Sequence, residues 1–131
     1  MKIINSFILA LLLIVFSATM SLAAITQVDG SGPGYVRTTI TATNTTNSAG
    51  DNCIGVHGFI WKSAIADEVS GTAVWNIEFS NDFGTTYAAL VTGEAADNSY
   101  EFSTAATNVC VHVTTCSTCV LKVTIYGQNA R

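Results

Sequence analysis

Charge, proline and histidine are scarce in this sequence of 131 residues: 11% are charged, one is Pro and two are His. Lys and Arg number five against nine Asp and Glu. A chain so poor in cations is a weak phosphate binder, because duplex affinity comes from Lys and Arg displacing counterions. Nucleic acid is excluded as a partner, and no basic run supports docking on anionic lipid. The sequence has no G-x-S-x-G, no H-E-x-x-H and no phosphate loop. The common nucleophile, zinc and nucleotide chemistries are thus left without their frames.

Apolar residues, at 49%, are plentiful, but the excess is concentrated at the start. Met1 and Lys2 precede a run of Ile, Leu, Val, Phe and Ala over 3–16, and small residues follow up to Ser21-Leu22-Ala23-Ala24. A charged start, an apolar stretch and a small-x-small site predict a signal peptide over 1–23, cut after Ala23, and one domain over 24–131. No Cys follows the site, so no lipid anchor is expected. Cleavage leaves Arg37, Lys62, Lys122 and Arg131 against nine acids, a net charge of −5. The rest has no second apolar span, which predicts a secreted, periplasmic or cell-surface product with no stable membrane span.

The mature part is rich in Thr and reads as strands. Ala73, Trp75, Ile77 and Phe79 alternate with Val74, Asn76, Glu78 and Ser80, so the first set is expected to face a core. Val109, Val111 and Val113 alternate likewise, as do Leu121, Val123 and Ile125, and these runs predict a C-terminal hairpin. Further strands are expected over 35–43, 53–62, 86–92 and 99–103, with 53–62 central because both its faces are apolar. Residues 63–71 read as a helical turn, and 29–34 and 44–52 as loops. About seven short strands predict an all-β fold, an antiparallel β-sandwich of Ig-like or jelly-roll connectivity.

Ser80-Asn81-Asp82-Phe83-Gly84-Thr85-Thr86-Tyr87 fits S-x-D-x-G-x-T-[WYF] and resembles the Asp-box of sialidases and many unrelated β proteins. Ser80 and Asp82 can accept backbone bonds within a turn, Gly84 can take a positive φ, Thr86 completes the pattern, and Tyr87 opens the returning strand. The resemblance implies a structural hairpin and no active site. Sialidase activity is excluded, since a propeller needs several blades of about forty residues. The wider succession of 75–80, the box, 106–114 and 123–125 is similar to small β-sandwich proteins of phage virions and tails. That likeness implies a non-catalytic role in assembly.

In an exported chain four Cys imply two disulfides, with three connectivities to choose from. Cys116 and Cys119 sit at the tip of the expected last hairpin, leaving Cys53 for Cys110. Redox use of Cys116-x-x-Cys119 lacks the helix N-terminus that lowers a thiol pKa. A metal site built from Cys53, His57, Cys110 and His112 is the rival reading, disfavoured by the oxidising compartment. Glu78, Glu94, Asp97 and Glu101 read as solvated surface acids rather than a glycosidase pair. No catalytic residue and no cofactor is expected. Two functions remain: a structural module that associates with itself or with a larger surface or virion assembly, and a glycan-binding module. The second would stack sugars on Tyr35, Trp61, Tyr100 and Tyr126.

Overall fold

The computed structural model describes residues 23–103 and 105–129; the expected signal peptide lies, apart from Ala23, outside the described residues. Nine strands form among the described residues: β1 (Ala24–Gly32), β2 (Tyr35–Thr43), β3 (Cys53–Gly55), β4 (Trp61–Ser70), β5 (Ala73–Ser80), β6 (Ala88–Glu94), β7 (Asn98–Phe102), β8 (Asn108–Cys116) and β9 (Val120–Gln128). They make two antiparallel sheets, ordered β1-β2-β9-β4-β7 and β3-β8-β5-β6. No helix long and apolar enough to cross a membrane occurs among the described residues.

The pairing is nested. β5 pairs with β6, β4 with β7, β3 with β8 and β2 with β9, as in one long hairpin rolled until alternate pairs fall into opposite sheets. That is the connectivity of a jelly roll, and it decides between the two sandwich topologies expected from the sequence.

The core lies between the sheets and follows the period of two. Trp75 and Ile77 of β5, Val109, Val111 and Val113 of β8, Ile40 of β2, and Leu121, Val123 and Ile125 of β9 are all essentially inaccessible. Burying one such aliphatic side chain contributes about 1.5 to 3 kcal/mol. Phe79 packs against this core from a partly exposed position. The Trp75 indole Nε1 is buried with no hydrogen bond.

Four expectations are corrected. Residues 63–71 are not helical: Ala64 and Ala66 face the core while Ser63, Ile65 and Asp67 face outward, so 63–70 belongs to β4. The run 53–62 is not one central strand. β3 ends at Gly55, Gly58 turns the chain at φ +83°, and β4 starts in the other sheet. β8 and β9 form no hairpin, since they too lie in different sheets and Ser117, Thr118 and Cys119 cross between them. That corner rests on Gly71, where a Cβ would come within 1.8 Å of the Thr118 carbonyl oxygen.

The fourth correction is at 29–34, where only Pro33 and Gly34 are a turn and the rest continues β1. Pro ahead of a positive-φ Gly, here +79°, is the combination a type II turn uses. Gly32 is needed beside it because the Tyr35 ring lies where its Cβ would be, 2.4 Å away. The signs read as a loop are therefore marks of side chains lying across β1.

Candidate functional site

The 44–52 loop lies against β8 and over Glu78 on the outer face of the four-stranded sheet. β3 is only three residues long, so β8 beyond Cys110 lacks a neighbouring strand on its β3 side, and Asn47 takes its place there. Its Nδ2 donates to the Val111 carbonyl at 2.7 Å and its Oδ1 accepts from the Val113 N–H at 2.6 Å, which satisfies backbone groups that would otherwise be orphaned. Beneath the loop, Glu78 Oε2 accepts from the Gly50 N–H at 3.0 Å and Oε1 meets His112 Nδ1 at 2.9 Å. Glu78 is 6% exposed, so the reading of it as a solvated acid is corrected.

Cys53 is bonded to Cys110, its register partner, with Cα atoms 4.0 Å apart, and Cys116 is bonded to Cys119. The alternative metal set is not assembled: Cys53 and Cys110 hold each other, His112 is turned to Glu78, and the His57 ring lies 5.4 Å from that of Phe83. No group of three His, Cys, Asp or Glu able to hold a metal ion occurs among the described residues. Disulfides of this kind form and persist in oxidising compartments.

The 80–87 turn joins β5 to β6 around Asp82. The carboxylate accepts from the Thr85 and Thr86 N–H groups at 3.1 and 2.9 Å, from Thr86 Oγ1 at 2.7 Å and from Ser80 Oγ at 2.6 Å. Ser80 Oγ accepts in turn from the Gly84 N–H at 2.8 Å, and Gly84 stands at φ +90°. The Ser80 hydroxyl, followed by the Thr86 donors, holds the Asp82 carboxyl far below the usual carboxylate range. Tyr87 covers both Gly84 and Gly50, which ties this turn to the 44–52 loop.

The other outer face, on the five-stranded sheet, is open. Register places Tyr35, Gln128 and Trp61 in one row, Arg37, Tyr126, Ser63 and Glu101 in the next, then Thr39, Thr124, Ile65 and Ser99, with Lys122 opposite Asp67 beyond. Val28 of β1 joins the third row. Tyr35 is 44% exposed and Trp61 38%, and with the half-buried Tyr126 they cluster at one end. There Tyr35, Tyr126, Gln128, Asn129, Pro33 and Gly34 line a shallow hollow of about 380 Å3.

Tyr100 is not part of that cluster. Its position on β7, opposite Ala64, points it inward against the core, and burial with Glu94 nearby pushes its hydroxyl up to about 12. Of the remaining acids, Glu101 lies on the open face and Asp97 Oδ1 accepts from the Glu68 N–H. Glu78 and Glu101 thus stand on opposite sides of the sandwich. Sequence reading missed Ile65 and Val69 as exposed apolar residues and Asn47 and Glu78 as loop clasps. Alternation within 63–69 carried the first signal; the second depends on a contact across loops and left none.

No known protein family matches the chain, and no curated protein does. Among solved structures, an oxalate oxidase is similar at 14% identity and a TM-score of 0.44, covering 86% of this chain and 54% of the other. An oxalate oxidase in complex with the substrate analogue glycolate gives the same values. The capsular polysaccharide assembling protein CapF from Staphylococcus aureus is similar at 10% identity and a TM-score of 0.37, with 86% and 30% covered. The chain thus spans about half the length of the oxalate oxidase. Likeness at this level says nothing about activity, and the topology alone defines the fold.

Proposed function

We propose that the chain is an exported, non-catalytic structural module that assembles into a larger cell-surface, secreted or virion structure. One observation carries this reading: the open face of the five-stranded sheet, where Val28, Ile65 and Val69 are 61%, 49% and 58% exposed among threonines and serines. Val28 and Ile65 stand in one row of this face with Thr39 and Thr124 between them, and a broad sheet face that carries exposed apolar side chains and few charges suits association with another surface. The Ser80 to Tyr87 turn and both disulfides serve rigidity in this reading. Export is supported by the charged, apolar and small-residue order of 1–23 and by two disulfides.

Sedimentation of native material tests the proposal, with the protein followed by antibody. Cofractionation with particles or cell envelopes, lost on Ile65→Glu, is expected. Recovery of the whole protein as a free species, with no partner captured by cross-linking, would overturn it.

A second reading has its own observation, the grouping of Tyr35, Trp61 and Tyr126 beside the amides of Gln128 and Asn129. Aromatic faces and amide hydrogen bonds are the chemistry that holds a pyranose ring. Binding on a glycan array that disappears with Trp61→Ala supports a glycan-binding module, and an array without signal rejects it.

A further inference from the structure

The open face carries its charges in two halves. Among the described residues the basic ones are Arg37, Lys62 and Lys122, and Lys62 points inward, with Nζ donating to the Phe59 carbonyl at 2.7 Å. Both outward cations thus stand on this one face, Arg37 on β2 and Lys122 on β9, in a chain that is otherwise acidic. The acids of the face, Asp67 and Glu101, stand on β4 and β7. The register puts Lys122 level with Asp67 and Arg37 level with Glu101.

Strand order makes this pattern self-complementary. β9 and β4 are neighbours at the middle, with β2 outside β9 and β7 outside β4. A two-fold axis lying in the face, parallel to the strands and midway between β9 and β4, brings β9 over β4 of a second copy and β2 over β7, and leaves every row in place. Lys122 then faces Asp67 of the partner subunit, and Arg37 faces Glu101 of the partner subunit. Bulky residues meet smaller or polar ones, Tyr126 against Ser63, Ile65 against Thr124 and Trp61 against Gln128. The two-fold across the strands instead lays β2 on β2 and β9 on β9, which sets basic half against basic half.

We infer that the occupant of this face is a second copy of the chain, docked face to face about the axis parallel to the strands. This rests on the assembly reading of the face and names its first partner. The interface is isologous, with aromatic and aliphatic side chains set against Ser, Thr and Gln at the centre and four ion pairs generated by the symmetry.

Light scattering and sedimentation of the exported, disulfide-bonded protein over a range of concentration and salt provide the test. A dimer that weakens as salt rises is expected. Lys122→Glu and Asp67→Lys alone should each raise the dissociation constant by at least about tenfold, and the two together should restore it to within a few-fold. Lys122 and Asp67 are also neighbours within one chain, so circular dichroism and melting of each variant check that the fold is kept, and the dissociation constants are compared between variants that remain folded. A parent that stays monomeric, or a dimer that neither single reversal weakens, overturns the inference. A monomer that still cofractionates with particles or envelopes removes the self-docking and leaves the assembly reading standing.

Discussion

Glu78 and His112 meet at 2.9 Å on the outer face of the four-stranded sheet, two positions apart in the β5–β8 register. The second Glu78 oxygen holds the Gly50 N–H, so one carboxylate fastens both a strand neighbour and a loop. Glu78→Ala should cost about 1 to 3 kcal/mol, since it leaves the Gly50 N–H and His112 Nδ1 without their shared partner. Denaturant melts measure it, and hydrogen exchange should show the loss first at Gly50.

The two disulfides should contribute unequally. Cys53 and Cys110 are 57 residues apart in sequence and Cys116 and Cys119 only three. By chain entropy the long bridge contributes about 4 kcal/mol and the short one about 2. Replacing Cys53 and Cys110 by Ala should therefore lower the denaturation midpoint more than replacing Cys116 and Cys119. A chelator should leave both proteins' melting unchanged.

Acid should act on the Asp82 turn. Its carboxyl titrates lower in the folded chain than in the unfolded one, because the Ser80 and Thr86 donors favour the charged form. The stability it contributes is present above the unfolded value of about 3.9. It is lost as pH falls from there through the folded value. Asp82→Asn should flatten the acid limb of a stability-pH curve and lower the neutral melting temperature, and Gly84→Val should lower it at every pH.

Alkali should act on Tyr100. Burial and Glu94 raise its folded value to about 12, so the neutral phenol favours the folded state. That contribution is complete below the unfolded value of about 10 and is lost as pH rises through the folded one. Ultraviolet titration should find a late-titrating tyrosine that is absent from Tyr100→Phe.

The alternation of Ala73 to Ser80 and of the valines around 111 was legible because strands buried on one face show a period of two in the residues themselves. The break at Gly55 was not, nor was the split between β8 and β9, since alternation reads the same whether the next strand joins the same sheet or the opposite one. Ala64 and Ala66 hid β4, because alanine fits a helix and a thin core equally well. At the open face, Tyr35 and Trp61 were found by residue type alone. Ile65 and the balance of Arg37 and Lys122 against Asp67 and Glu101 needed the strand order.

The nested pairing sets an order of events as well as a shape. β5 and β6 are joined by the short 80–87 turn, whereas β4–β7, β3–β8 and β2–β9 close successively longer stretches of chain. Closure entropy grows with the length of free chain between the ends, so each outer pair forms more readily once the pair within it has shortened that length. The Asp82 turn is then the point from which the chain zips. Strands distant in sequence thus close most readily after a turn held by a few hydrogen bonds to one half-buried carboxylate, and slow folding is the expected character of a chain wound this way.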